Sequence, residues 1–563
     1  MVAVHAGASF CFRGATLAVP DRNRNAIATL SSPHAANAAR VRYPTPCVCV
    51  IWAVLSLACQ PRADSASLLA PSGAGGSTTP AVEGAAGADQ AGGGVAGANG
   101  MAVDPCADVM GAGVSVAEDI TVDTTWNCAR YTLTRPIFVR GTPELRPTLT
   151  IAPGTQVLGS PGNLEAGVLP GTLIVTRNGR IHAEGTATAP IVFSSSKPVG
   201  QRAPGDWGGV VLLGRAPTNV PAGLRSNNAL GENFIEGLPA TEDSTYGAPI
   251  QVTPNGSPDA GAAYAPGGDP EWDCGTLKYV RIEFAGFELS GGSELNGLTL
   301  GACGRATVLE YIQSHLGSDD GIELFGGTVE VKHAVVTGAK DDSIDWDEGW
   351  TGDAQFIAIQ QHDDSLLADD SRGDNAIEAD GYADLMQLVG APSQPTMRNL
   401  TLAASKTSQR GVRLREGTGF KLFDSILVAH AEGAAQGLVD IDNEVTADGL
   451  VNGTLTILSS TFFGRWPSVG QLDSLGTLYV EENHFLTPLA GAGNVELASV
   501  EALLPQVFVE AAPGWVPLAT PAVQAISDGA PDPKGFFTSV AYRGAFEPGV
   551  AAWTDGWTAY PAN

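Results

Sequence analysis

Positive charge is scarce in this chain. Against 60 aspartates and glutamates stand 31 lysines and arginines, a net charge of −29 over 563 residues. That balance argues against nucleic acid and anionic lipid surfaces as partners, because phosphate recognition needs clustered basic side chains. It favours solubility outside the cell and the binding of cations. Long apolar runs are lacking too. The run 47–58 (CVCVIWAVLSLA) falls short of the ~20 residues that cross a bilayer. Helical stretches are absent, and only 16 % of residues are charged while glycine numbers 70, a composition that suits a turn-rich β protein. No glycine-rich phosphate loop, nucleotide fingerprint or Ser/His/Asp set occurs, so nucleotide chemistry and serine hydrolysis have no residues to carry them.

What the chain does have is a repeat. Asp319-Asp320-Gly321-Ile322-Glu323-Leu324-Phe325 is echoed by Asp341-Asp342-Ser343-Ile344-Asp345-Trp346-Asp347. Further echoes are Asp374-Asn375-Ala376-Ile377-Glu378-Ala379-Asp380 and Gln409-Arg410-Gly411-Val412-Arg413-Leu414-Arg415. A period starting in the low twenties signals a solenoid. The leucine-rich LxxLxLxxN pattern is missing, and each copy alternates apolar and polar as a strand does. The expected fold is a single-stranded parallel β-helix with one copy per coil. Ile322, Ile344, Ile377 and Val412 then share an inward column, with Leu324, Trp346, Ala379 and Leu414 beside it. The outer face carries Glu323, Asp345, Glu378 and Arg413 in one column, and Phe325, Asp347, Asp380 and Arg415 in the next. Coils stack about 4.8 Å apart. Carboxylates at that spacing repel by about 3–4 kcal/mol at an effective dielectric of 20. The stack needs a counter-charge from Arg413 and Arg415, from a bound cation, or from solvent.

Along the chain, residues 1–39 lack periodicity. Arg40-Val41-Arg42, the apolar run and Ala58-Cys59 make an export signal. Leu55-Ser56-Leu57-Ala58-Cys59 resembles a bacterial lipobox, with Cys59 as the lipidated residue and Ser56 where a leucine is usual. Gln60 after the cysteine, by the same resemblance, points to the outer membrane. Residues 60–103 are rich in Gly, Ala and Ser and read as a flexible tether. Past the leader, Cys106, Cys128, Cys274 and Cys303 form an even set in an oxidising compartment, and three pairings are open. Cys106–Cys128 and Cys274–Cys303 are favoured, each close in sequence. None has CxxC spacing, which argues against zinc. The β-helix is expected over 104–465, interrupted by long insertions at about 215–276 and 363–373. The last part, 466–563, loses the period, and its stretches 502–509 and 553–557 are expected to cap the end of the solenoid.

Gly205-Asp206-Trp207-Gly208-Gly209, Leu277-Lys278-Tyr279-Val280-Arg281-Ile282-Glu283-Phe284, Glu294-Leu295-Asn296-Gly297-Leu298-Thr299-Leu300 and Gly317-Ser318-Asp319-Asp320-Gly321 carry a resemblance. With the ending Tyr542-Arg543-Gly544-Ala545-Phe546 they look like a family of bacterial surface lipoproteins. The resemblance covers roughly 145–560. It implies a right-handed parallel β-helix and a surface address, and carries almost nothing about a reaction.

For chemistry, the outer columns make Asp341, Asp345, Asp347, Glu323, Glu378 and Asp380 candidate Ca²⁺ ligands, since hard oxygen donors suit Ca²⁺ rather than zinc or copper. Arg413 and Arg415 compete by ion pairing, and are also candidates to face a ligand together with Trp272 and Trp350, the aromatic platforms for a sugar ring. The paired carboxylates Asp319/Asp320 and Asp341/Asp342 invite comparison with β-helical polysaccharide hydrolases, and the acidic column beside arginine with Ca²⁺-dependent pectate lyases. Neither motif set is complete: Asn-Thr-Asp, Gly-His-Gly and a lyase signature are all missing. His315 and His333 read as strand-surface residues, and the Asp/Asn positions as turn-backbone acceptors as readily as ligands. The expectation is therefore an exported, lipid-anchored protein at the outer membrane or cell surface, more a binder than an enzyme. Its partner would be a glycan or a surface protein. The alternative is a polysaccharide lyase or glycoside hydrolase, with catalytic residues the sequence does not single out.

Overall fold

A computed structural model describes residues 113–563, apart from 225–226, 254–262, 266, 291–292, 364–374, 488–490, 526–531 and 533–534. The export signal, Cys59, the tether, Cys106 and most of the expected 363–373 insertion lie outside the described residues. The Cys106–Cys128 pairing and the anchor therefore remain expectations.

Nine parallel strands stack in chain order on one face, one from each coil. They are Pro136–Val139, Thr172–Val175, Gly209–Leu213, Leu298–Gly301, Ile322–Phe325, Ile344–Asp347, Asn375–Asp380, Arg410–Arg415 and Gly437–Ile441. The register is the expected one. Ile322 pairs with Ile344, Ile344 with Ile377, and Ile377 with Val412. All four are at most 4 % exposed. Leu324, Trp346, Ala379 and Leu414 fill the second inward column. At Gly321 the coil turns so closely that a Cβ would meet Val336 Cγ1 at 2.2 Å, so a side chain there would displace the core.

The other two faces belong to one continuous 17-stranded sheet that folds along a corner. Gly275–Glu283 shows this directly, pairing its first half with Arg180–Glu184 and its second half with Ile191–Ser195. At the corner Tyr279, Tyr311, His333, Phe356 and Asn399 all have left-handed backbones, with φ between 49° and 58°. Bulky residues there are strained by about 1–2 kcal/mol each. Stacking offsets part of that strain: ring centroids are 4.3 Å apart for Tyr279–Tyr311, 4.4 Å for Tyr311–His333 and 4.9 Å for His333–Phe356.

Two outlying segments complete the molecule. The insertion after Gly209–Leu213 folds into hairpins that cover the upstream outer face of the nine-stranded sheet. Its Ile235 and Tyr246 bury Ile174, Val211, Leu213 and Phe325. The disulfide Cys274–Cys303, Cα atoms 5.8 Å apart, ties the end of this insertion to the next coil. It is one of the two pairings expected.

The C-terminal part corrects the expected cap. Trp466 and Phe485 pack on Phe462 of the last coils. Stretches 502–509 and 553–557 instead run back along the flank. Leu503, Leu504, Val507 and Phe546 cover Val335, Ala358, Ala403, Ile426 and Val428 on the outside of the folded sheet. Trp553 and Trp557 close edge-on over the aromatic corner. The physical reason is that these outward positions are apolar, so the flank needed covering more than the end did. His315, expected on the surface, is buried beneath this strap at 2 % exposure. Its Nε2 donates to the Pro561 carbonyl at 3.0 Å, and burial pushes its pKa down to about 3.

Candidate functional site

Downstream of the insertion, the outer face of the nine-stranded sheet turns acidic. Parallel pairing places Glu323, Asp345, Glu378 and Arg413 side by side across four coils, as the sequence pattern required. Asp380 pairs with Arg415 in the neighbouring column. Two residues ahead of each inward isoleucine or valine runs a third ladder: Asp320, Asp342, Asn375 and Arg410. Here Asp320 Oδ1 accepts the Asp342 backbone N–H at 2.9 Å, and Asp342 Oδ1 accepts that of Asn375 at 2.6 Å. Part of the acidic face is thus a turn-bonding ladder, one of the readings the sequence left open.

The arginines neutralise one end. Arg415 bonds Asp380 Oδ1 at 2.6 Å and Glu378 Oε1 at 2.8 Å, and Arg413 reaches Glu378 at 3.3 Å and Asp442 at 2.6 Å. Burial works against the charge of Arg415, but the bond to Asp380 and the surrounding carboxylates more than offset it and raise its pKa. Asp380 is pulled both ways, by burial upward and by Arg415 downward, and settles at about 7.

At the other end the carboxylates crowd together. Asp319, Asp320 and Asp341 bring carboxylate oxygens within 4.8 Å of one another, and so do Asp320, Glu323 and Asp345. Asp320 belongs to both groups. Burial, then the charges of Glu294 and Asp341, raises Asp319 to about 9. Asp320 and Asp345 are held well above the usual carboxylate range, first by burial and then by their acidic neighbours. Asp345 Oδ1 is buried without a hydrogen-bond partner. Asn296, 3 % exposed, gives its amide N–H to Glu323 and leaves its own buried Oδ1 unpartnered. Asn375 repeats the device on Glu378 at 2.8 Å, again with Oδ1 unpartnered. Buried oxygens left in this state are costly, and a hard cation is the kind of group that satisfies several at once.

This redistributes the expected ligands. Asp341, Glu323 and Asp345 fall in the tight groups, whereas Asp347, Glu378 and Asp380 fall in neither. Glu378 and Asp380 are taken by arginine, and Asp347 accepts the Glu348 backbone N–H at 2.5 Å. Asp319 and Asp320, which the sequence set beside Asp341/Asp342 only by comparison with β-helical hydrolases, sit at the centre instead. Asn296 escaped notice, although Asn296-Gly297-Leu298-Thr299-Leu300 aligns with Asp320-Gly321-Ile322-Glu323-Leu324 and would have placed it. Trp350 is no platform: it is fully buried, packs 5.6 Å from Trp346, and donates Nε1–H to the Val329 carbonyl at 3.0 Å. It fills the coil interior because an indole at the end of that strand fits where a smaller residue would leave a cavity. Trp272 keeps partial exposure, on a different corner of the coil.

The stacked single-strand coils define a parallel β-helix with an acidic outer face. Comparison with family models places residues 117–494 in the pectate-lyase-like β-helix domain, and the chain belongs to that right-handed β-helix family. Comparison with curated proteins and with solved structures gives no match.

Proposed function

We propose that the chain is an exported, surface-anchored β-helix protein that binds an acidic polysaccharide through Ca²⁺ held on the acidic face. The anchor is Cys59, and the location the outer membrane or cell surface. The observation that carries the cation is the close group of carboxylate oxygens around Asp320, with Asp345 Oδ1 and Asn296 Oδ1 unpartnered beside it. A protein of net charge −29 repels an anionic glycan, and a divalent ion between the two sets of carboxylates reverses the sign locally.

Binding without cleavage fits the arginines. A lyase needs a base that gives up its proton, and Arg413 and Arg415 are both ion-paired with raised pKa values. One observation favours hydrolysis as a second reading: Asp319 keeps its proton to about pH 9 near Asp341, as a general acid would. The clustered oxygens, within 4.8 Å, stand closer than the 6.5–9.5 Å that leaves room for an attacking water. The test is a polygalacturonate pull-down with millimolar Ca²⁺ or chelator, with reducing ends and unsaturated products assayed in the same tubes. Ca²⁺-dependent retention without new ends supports binding. New reducing ends install the hydrolase reading, and retention indifferent to chelator removes the cation.

A further inference from the structure

Basic side chains gather at the corner that follows the nine-stranded sheet in the upstream coils. Two arginines from different coils meet Trp272 there. The Arg146 guanidinium lies 4.4 Å from the indole centroid and that of Arg215 lies 5.8 Å from it. Arg180, on the coil between, reaches Asp273 at 3.3 Å. Arg215 shares Glu242 with Arg177, at 3.0 Å and 2.5 Å. For Arg146, no carboxylate among the described residues is in ion-pair contact. Its Nη2 donates to two carbonyls, Gly179 at 2.9 Å and Asp273 at 2.6 Å. Its Nε–H is buried without an acceptor, and so is the Nε1–H of Trp272 stacked against it.

The surroundings hold this pair in place. The Trp272 backbone N–H bonds the Asp269 carbonyl at 2.9 Å, and its carbonyl accepts from Gly304 N–H at 2.8 Å and Thr307 Oγ1 at 3.2 Å. Two residues on, Cys274 is locked to Cys303. Burial first, then Arg180, lowers Arg146 to about 10, with Asp273 opposing and Arg215 adding to the fall. The protein thus leaves this cation unneutralised although it has carboxylates in excess. Arg146 and Trp272 both keep partial exposure, so the rim of the corner meets solvent while the two unpartnered N–H groups lie buried beneath it.

We infer that this corner is an oxyanion site, taking the carboxylate or sulfate ester of an acidic sugar on Arg146 with the Trp272 indole N–H as second donor. A planar guanidinium stacked on an indole is pre-organised for a flat or tetrahedral oxyanion, and two unpartnered donors gain the acceptor they lack. The site is independent of the acidic face and needs no cation.

The experiment is an indole N–H spectrum of the full-length protein labelled with ¹⁵N-tryptophan. It is titrated with sodium sulfate, with sodium galacturonate, and with sodium chloride at matched ionic strength. Trp272→Phe identifies the Trp272 signal and removes the second donor. The expected result is a saturable shift of that signal with sulfate or galacturonate, weakened about tenfold in Arg146→Gln. Arg146→Lys, which keeps the charge but not the fork, should fall between the two. Tighter binding of galacturonate points to a uronate ligand, and tighter binding of sulfate to a sulfated one. A signal that ignores both anions, follows chloride equally, or titrates unchanged in the folded Arg146→Gln variant overturns the assignment.

Discussion

Asp320 does two things at once. One oxygen accepts the Asp342 backbone N–H and joins one coil to the next, while the carboxyl group belongs to both tight acidic groups. Asp320→Asn separates the two roles, because asparagine keeps the Oδ1 acceptor and loses the charge. In chelator the variant should unfold at the wild-type temperature or above it, since folding no longer has to take up the proton that buried Asp320 holds. With millimolar Ca²⁺ it should lose the stabilisation the wild type gains, which is about 2.7 kcal/mol at 100 times the dissociation constant. Thermal unfolding followed by circular dichroism reads both. A variant that is less stable in chelator and still responds to Ca²⁺ would show that the ladder bond, and not the charge, matters at this position. At this scale the sequence reading was partial. The parity of the strands placed Glu323 and Asp345 on one face correctly, but no spacing rule says that Arg415 reaches across to Glu378 as well as Asp380.

The strap and the insertion are the elements that decide which faces stay open. Both cover outward apolar columns, the strap on Val335, Ala358 and Ile426 and the insertion on Val211, Leu213 and Phe325. Phe546 is 1 % exposed and sits between Trp515 at 5.8 Å and Trp553 at 5.0 Å. Phe546→Ala should cost about 3–5 kcal/mol and loosen the strap before the coils. Amide hydrogen exchange would show faster exchange over 500–563 with the nine-stranded sheet still protected. Uniform loss of protection would mean that strap and solenoid unfold as one unit. The insertion makes a parallel point: Tyr246 Oη donates to Oε2 of buried Glu348 at 2.9 Å while Asn233 donates to Oε1 at 2.7 Å, so Tyr246→Phe should destabilise by about 1–3 kcal/mol through the loss of one of these donors. Differential scanning calorimetry of the variant checks the size.

For the whole molecule the buried acids set the pH dependence. Asp319 has a folded pKa of about 9, raised above the ~3.9 of an exposed aspartate. Between those values the folded state holds a proton that the unfolded chain has released, so stability falls as pH rises through the window. Asp320 and Asp345 act in the same direction. In chelator the midpoint of unfolding should therefore drop steadily from about pH 4 toward pH 9. Saturating Ca²⁺ should flatten or reverse that slope, because the ion displaces the same protons. A Ca²⁺-free profile that rises across this range would mean that these carboxylates are ionised in the folded protein.

The sequence by itself determined the repeat, the inward columns and the register, because a two-residue side-chain period in stacked coils leaves one alignment that buries Ile322, Ile344, Ile377 and Val412 together. It also determined that an acidic face would exist, with Arg413 and Arg415 in register at its downstream end as one of three candidate counter-charges. Only the tertiary structure decided which carboxylates pair with arginine and which crowd together. That depends on where the insertion stops covering the sheet and on how far Arg413 and Arg415 reach, and neither is periodic. The same holds for Trp350 and for the strap. A single indole or an aperiodic tail carries no signal of its face, and its place follows from which apolar surface of the coils was left uncovered.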